Sequence, residues 1–433
     1  MVDIIIKIIP MVVFLILLIL RTQIAITFLI AGLVGITLLR GFQSGVVTFG
    51  LASFSESSNF VLLAIPLFIL MGQFISYSGM SSQLFDSAYK WSGKIRGSLA
   101  YATIITCTFF GACTGSSMAA VGTIGPTALR EMERVNYSSH LAYGCITSGA
   151  SLGIMIPPSL CFIVYGYICG VPIGPLFIAG ILPGILTSMM LMLWIFFVCL
   201  RDPNLAPSSN ISFSWKEKFL STKGIWWVIL LFIVIVGGIL IGLFTATEAA
   251  GMGAITVFLI LLFSGKMTWS MFVSSLKDTV RISCMIFTII IGAKVFNTYL
   301  GLSGIPQGFC KFMSELPVSP NTILGIILFA YLPIGCFVDS VPMSFLTLPV
   351  FYPIVKMLGF DPLLFGVLFT LMGQISILTP PVGMNCYVLS GIASRPLNEV
   401  FKGSVPFLIP MIVSLIILVI FPQISLFLPE LMK

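Results

Sequence analysis

Few residues in this chain could do chemistry, and their placement is unusual. Asp339 stands alone in the apolar run "PIGCFVDSVPMSFLTLPVFYP" (Pro333 to Pro353). An ionisable side chain at membrane depth is costly to bury and usually functional. Asp339 is therefore a candidate for a coupling-ion or gating role, against the plainer role of a loop-exposed carboxylate. Thr114, Ser116 and Ser117 gather beside Gly115 in "GACTGSSMAAVGTIG" (Gly111 to Gly125). Their hydroxyls suit a hard cation such as Na⁺. They equally suit polar contacts between membrane helices. Two proline pairs complete the set, Pro157-Pro158 in "GIMIPPSL" and Pro380-Pro381 in "ILTPPVG". Proline removes a backbone donor and breaks a helix interior, and it pushes the residue before it out of the helical region. A helix broken at mid-membrane exposes carbonyls to a cation and amide ends to an anion. It is tolerated only where that backbone is buried in protein or lines a watery cavity. A simple kink is the bland alternative.

Other chemistries lack their residues. His140 is the only histidine, which argues against a zinc hydrolase of the H-E-x-x-H kind. Asp339 has no evident acidic partner in sequence, so a membrane-embedded hydrolase or transferase is disfavoured. The ten cysteines are scattered through apolar segments without a C-x-x-C pairing. They read as small buried hydrophobes, with neither a disulfide framework nor a transition-metal site expected. The net charge of +7 sits in a few loops and implies no nucleic-acid partner.

The elements that must hold these residues are membrane helices. The chain of 433 residues is 58% hydrophobic and 8% charged, and Val135 to Leu200 carries no Lys, Arg, Asp or Glu. Runs of about 20 apolar residues span a bilayer. The expected fold is an all-α polytopic membrane protein in contact with lipid, with no cleavable signal peptide. Candidate spans are Ile4–Leu20, Thr22–Leu39, Phe60–Tyr77, Leu141–Ile168, Leu176–Leu200, Ile225–Leu243, Ala249–Phe263, Ile282–Leu300, Leu363–Ser390 and Ser404–Phe427. Basic residues including Lys90, Arg134, Arg201, Lys266, Arg281 and Lys402 fit one face, the cytoplasm by the positive-inside rule. The N-terminus and Glu56 then lie outside. Glu248 in "FTATEAAG" reads as a helix N-terminal charge capped by Thr245 or Thr247. Lys294 either snorkels outward or adds charge to an anion path.

Gly97 to Leu129 is uncharged, apolar and flanked by basic residues on both sides. One crossing would separate the flanks, and two need about 40 residues. The segment therefore reads as a re-entrant hairpin (97–129) entered from the cytoplasm. A counterpart lies at 320–356, long enough to be two full spans instead. Ser116 to Pro157 and Asp339 to Pro380 are both 41 residues apart, and "GMSSQLF" at Gly79 matches "GIPQGFC" at Gly304. The halves thus read as repeats, 1–205 and 224–433, joined by a charged cytoplasmic linker at 206–223. Each would hold five spans, one of them a broken helix (141–168 and 363–390), and a hairpin. An odd number of crossings inverts one repeat relative to the other, as in many secondary transporters.

The motifs "FFGACTGSSMAAVGTIGP", "GIMIPPSL", "FTATEAAG", "GCFVDSVPMSFLTLPVFYPI", "GFDPLLFGVL" and "ILTPPVG" resemble the large membrane subunit of tripartite ATP-independent periplasmic (TRAP) transporters, in family order over nearly the whole chain. The resemblance implies an elevator-type transporter in the bacterial inner membrane. It implies Na⁺-driven import of an organic anion such as a C4-dicarboxylate, a sialic acid or a keto acid. It implies two partners, a small four-helix membrane subunit and a periplasmic substrate-binding protein. No cofactor is implied, and the small subunit is expected as a separate polypeptide. By the same resemblance the Na⁺ sites map onto Ser116, Ser117, Gly149, Gly153, Gly335, Asp339, Thr379, Pro381 and Gly383. The anion site maps onto Thr114, Ser151, Pro157, Pro158, Ser340 and Pro380. A stand-alone ion-coupled anion transporter and a channel remain the competing transport classes.

Overall fold

In the computed structural model, residues 2–207, 213–315 and 317–431 are described, and their regular structure is all helical, without a strand. The helices of the first half are α1 (Val2–Ile19), α2 (Ile24–Arg40), α3 (Phe42–Ser57), α4 (Ala64–Tyr77), α5 (Met80–Ser92), α6 (Ser98–Thr114), α7 (Ser117–Arg134), α8 (Ser139–Leu152), α9 (Leu160–Cys169) and α10 (Ile173–Arg201). After α11 (Trp215–Thr222) come α12 (Trp226–Phe232), a π-helical turn (Ile233–Gly237), α13 (Gly238–Leu240), α14 (Ala246–Phe263), α15 (Trp269–Ser303), α16 (Ile305–Ser314), α17 (Pro320–Gly335) and α18 (Ser340–Met357). The chain ends with α19 (Pro362–Ser376), α20 (Met384–Ala393), α21 (Leu397–Ser404), α22 (Leu408–Ile420) and α23 (Gln423–Glu430). Part of the expected linker, 208–212, lies outside the described residues, as does Leu316.

Among the described residues, five helical segments are long and apolar enough to cross a membrane: Ile173–Arg201, Ala246–Phe263, Trp269–Ser303, Ser340–Met357 and Leu397–Ile420. Two bent pairs raise the number to as many as seven. The expected span Phe60–Tyr77 proves to be the second arm of such a pair, bent by 60° from the preceding Phe42–Ser57. That first arm escaped notice because Gln, Ser, Thr and Glu dilute its hydropathy. The span expected at Ile225–Leu243 carries the π-helical turn and lies 50° from α11. The span at Ser404–Phe427 ends at Ile420, where Pro422 follows and denies the helix a backbone donor. The span at Ile282–Leu300 sits inside α15, whose 35 residues reach about 52 Å.

The expected breaks at Leu141–Ile168 and Leu363–Ser390 are present as gaps between α8 and α9 and between α19 and α20. Both proline pairs lie in these gaps and both are cis. The restart of α9 is capped by the Ser159 hydroxyl, which accepts from the Phe162 amide at 3.3 Å. The restart of α20 uses Gly383 at φ +52 instead. A side chain there would be strained, and its Cβ would stand 2.6 Å from the Phe401 ring.

The two halves share much of their element order and exchange partners in a reciprocal way, although the first half bends between α3 and α4 where the second runs on in α15. α2 packs along α15, and α14 packs along α4. α6 lies against α7 and α8, as α17 lies against α18 and α19. The second arm of each hairpin reaches the restarted helix of the other half, α7 on α20 and α18 on α9. Gly79 (φ +69) and Gly304 (φ +72) turn the chain at equivalent points. Close approaches match too. A Cβ on Gly111 would stand 2.6 Å from the Gly153 Cα, while Gly335 is pressed against the Ser376 side chain. Glycine here removes a side chain so that hairpin and broken helix can touch closely. At α14, Thr245 is the cap. Its hydroxyl accepts from the Glu248 amide at 3.3 Å, and Glu248 accepts from the Thr245 amide at 2.8 Å.

Candidate functional site

The two hairpin tips differ in how the chain turns and in the residue that starts the second arm. After Thr114 ends α6, Gly115 at φ +64 reverses the chain, and Ser116 in extended conformation starts α7. The Ser116 hydroxyl accepts from the Ala119 amide at 3.3 Å, a side-chain N-cap that satisfies one free donor of the new helix. At the second tip Asp339 holds the same position before α18, at φ −66 and ψ 162. Its carboxylate makes no side-chain cap bond. The charge is thus left for the space in front of the tip. Ser117 and Ser340 follow as the first helical residues, both buried. The Ser340 hydroxyl has no partner among the described residues.

Both tips open on one cavity of about 410 Å³. Thr114, Ser116 and Ser117 reach it from the first tip, Asp339 and Ser340 from the second. The opposite wall is α4 with Gln73 and Ser76, and α15 with Ile282, Ile286 and Ile289. Ile154, Cys161 and Met384 close it from the two breaks. The cavity therefore sits between the hairpins and a wall of long helices. Its lining is mostly apolar, with a single carboxylate and a group of hydroxyls at the tips. Such a site offers a small number of polar groups to fix an ion or a polar ligand.

Five of the fifteen residues assigned to sites from the sequence line this cavity, and the other ten stand behind it. Gly149 packs on Ile104 and Cys107 of α6, Gly153 on Gly111, and Gly335 on Ser376. The Ser151 hydroxyl donates to the Ser148 carbonyl at 2.7 Å, and the Thr379 hydroxyl donates to the Ile375 carbonyl at 2.8 Å. Pro157 and Pro158 face away, into a small apolar pocket against Leu231, Phe232, Ile235 and Val236 at the π-helical turn. The Pro380 carbonyl accepts from the Cys336 thiol at 3.3 Å, so the second break supports the second tip from behind. Pro381 and Gly383 complete that break without reaching the cavity. The breaks pack close to the tips through small residues and prolines, and these ten residues stay outside the cavity lining while Ile154 and Met384 reach it.

Sequence reasoning missed two amides. Gln374 in α19 is fully buried, with neither amide atom partnered among the described residues. Asn385, the second residue of α20, donates to the Thr147 carbonyl at 3.2 Å and leaves its buried Oδ1 without a partner among those residues. Orphaned buried polar atoms of this kind call for a water, an ion or a ligand. A signal was available, since these are the only amide side chains between Pro362 and Ser394. Missed as well were Gln73 and Ser76, polar residues on an otherwise apolar face of α4.

Comparison with known proteins agrees with this architecture. Residues 11–424 match the family described as tripartite ATP-independent periplasmic transporter, DctM component. The chain is 34% identical over 396 residues to the C4-dicarboxylate TRAP transporter large permease protein DctM of Pseudomonas aeruginosa, covering 91% of this chain and 92% of that one. It is 32% identical to the sialic acid TRAP transporter large permease protein SiaM of Vibrio cholerae, over 86% and 87% of the two chains. It is also 32% identical to the ectoine TRAP transporter large permease protein TeaC of Halomonas elongata, over 86% of each. Among solved structures, that of the YdaH transporter of Alcanivorax borkumensis shares the fold, with a TM-score of 0.59 at 13% identity over 88% of this chain and 89% of that one. A helical membrane chain with two hairpins, two broken helices and relatives of this kind belongs to the family of TRAP transporter large permeases, the DctM component.

Proposed function

We propose that this chain is the large permease of a Na⁺-coupled importer of an organic anion, set in the bacterial inner membrane. The substrate would be a C4-dicarboxylate, a sialic acid or a related carboxylate. It would be delivered by a periplasmic binding protein and passed on with the help of a small membrane subunit, as the name of the family suggests. The observation that carries this reading is the meeting of two hairpin tips, one neutral and one carrying Asp339, in a single cavity facing α4 and α15. Asp339 and the tip hydroxyls would bind the coupling cation. A carboxylate balances its charge, and Ser and Thr oxygens replace its water. The anion would sit against that bound cation and the start of α7 or α18, where helix N-termini favour negative charge. Gly149, Gly153, Gly335 and the two proline breaks would hold the tips in place rather than touch the ligand.

The reciprocal packing of the halves supports inverted repeats, and with them alternating access. The hairpins and broken helices would move as one body along α2, α4, α14 and α15, an elevator in form. The decisive experiment is uptake into proteoliposomes holding this chain and a small subunit, with a binding protein loaded with an organic acid. Uptake that needs both an inward Na⁺ gradient and the binding protein supports the proposal. Uptake with Na⁺ alone favours a stand-alone transporter. Flux that ignores the Na⁺ gradient and saturates at no substrate level points to a channel.

A further inference from the structure

A second cavity, of about 510 Å³, lies on the same seam between α15 and α18. The central cavity takes Ile282 to Ile289 of α15 and the first turn of α18. The second takes Ile290 to Thr298 of α15 and Phe345 to Pro353 of α18. Lys266, Lys277 and Arg281 mark the cytoplasmic end of α15. Lys294 lies 13 residues beyond Arg281, which is about 20 Å along the helix. The second cavity is therefore the outer one.

Its polar groups form a set that the transport chemistry above does not use. Glu56, at the end of α3, has a side chain only 2% exposed, and Lys294 lies 3.3 Å from it. The Tyr167 hydroxyl of α9 donates to the same carboxylate. Lys294 itself is 51% exposed, so its ammonium also faces the cavity. Asn297, on the same face of α15, leaves a buried amide oxygen without a partner among the described residues. Rotation of that amide lets it offer a donor or an acceptor. An ammonium has three donors. Glu56 pairs with the Lys294 ammonium as a countercharge, and the ammonium donors can serve a second acceptor.

We propose that this outer cavity is a way-station for organic carboxylates, with Lys294 as the cation, Asn297 as a second polar contact and Glu56 as a built-in competitor that keeps the site weak. Full displacement of Glu56 would leave a buried carboxylate with only the hydroxyls of Tyr167 and Ser55, and a buried charge without a countercharge is strongly unfavourable. The entering carboxylate therefore shares Lys294 with Glu56. Weak binding is what a passage site requires, since the ligand must leave again. Only the direction of travel rests on the transporter reading.

The test is cysteine labelling, which needs no uptake. Thr298 lines the cavity one turn from Lys294, its hydroxyl bonded to the Lys294 carbonyl at 2.9 Å. Thr298→Cys would be modified from outside the cell by an impermeant, anionic methanethiosulfonate. The unsubstituted chain reports the background from exposed Cys284. Succinate should slow the modification, against sodium chloride at matched ionic strength. Glu56→Gln, which keeps its size and the Tyr167 contact, should increase succinate protection and speed the anionic reagent, by about threefold or more for removal of one nearby like charge. Glu56→Gln with Lys294→Gln removes both charges, leaves none unpaired, and should abolish protection. Protection that survives the double variant, a Glu56→Gln effect of the opposite sign, or labelling only from the cytoplasmic side would each overturn the proposal. Parallel uptake assays separate this result from failure of the transporter reading.

Discussion

The two hairpins share a blueprint and differ at the residue that starts the second arm. In the first, Ser116 caps its own helix, and its hydroxyl is internally satisfied. In the second, Asp339 occupies the equivalent position 223 residues later and makes no cap bond. Duplicated architecture supplies two tips at one cavity, and a single difference in residue type gives only one of them a charge. The same contrast recurs behind the tips. The first hairpin touches its broken helix through Gly111 and Gly153, the second through Gly335 and Ser376. Matching element order thus places the two tips at one cavity, and local residue type decides whether a tip position caps its helix or leaves a charge free.

Four experiments would break or sharpen this contrast. The largest effect is expected at the charge. Asp339→Asn should lower Na⁺-dependent uptake by about 10- to 100-fold, as loss of a hydrogen-bonded charged group costs about 1.5–3 kcal/mol, with assembly intact. Ser116→Ala should lower it far less. Equal losses at the two tips would remove the asymmetry from the mechanism. Next comes packing. Gly111→Ala puts a methyl against backbone that has no side chain to withdraw, and should destabilise by about 1–3 kcal/mol. Gly335→Ala should do the same alone but recover in the double variant with Ser376→Gly, because there the obstacle is a side chain. Thermal unfolding in detergent reads both, and a failure of the double variant to recover would show that the second contact is backbone-limited too.

A smaller effect is expected at the breaks. Gly383→Ala demands a left-handed residue, at a cost of about 1–2 kcal/mol, and meets Phe401 as well. Ser159→Ala loses only a cap, about 1 kcal/mol. A larger loss at Ser159, measured by the same unfolding, would give its hydroxyl a role beyond capping. The smallest effect should follow Ser116→Ala in stability rather than uptake, about 1 kcal/mol for one side-chain cap. An undisturbed melting point would mean that the Ala119 amide finds another acceptor.

Much of the fold is legible in the order of residues alone. Uncharged runs mark the membrane helices, and proline pairs at equal distances from two polar centres mark the breaks. The charge-free stretch between Arg96 and Arg130 marks the first hairpin. The helix α3 is not legible in this way, because its packing depends on α2 and α15 rather than on its own hydropathy. The site divides in the same manner. Asp339 and the Ser116 cluster announce themselves, since charge and hydroxyls are conspicuous in apolar sequence. Gln374 and Asn385 do not, because an amide is costly only once burial strips it of partners.

Residue type by itself determined that this chain spans a membrane, reverses at a first hairpin and carries one carboxylate in a second apolar segment. Those are local properties of hydropathy, backbone restriction and charge. Only the tertiary structure decided which polar groups share a cavity. It placed both proline pairs outside the lining of the shared cavity, and it brought Glu56, Tyr167 and Lys294 together from three distant segments. The physical reason is that a helix presents each residue to one direction only. Which direction faces a cavity is set by the packing of its neighbours, and that packing is not written in any one segment.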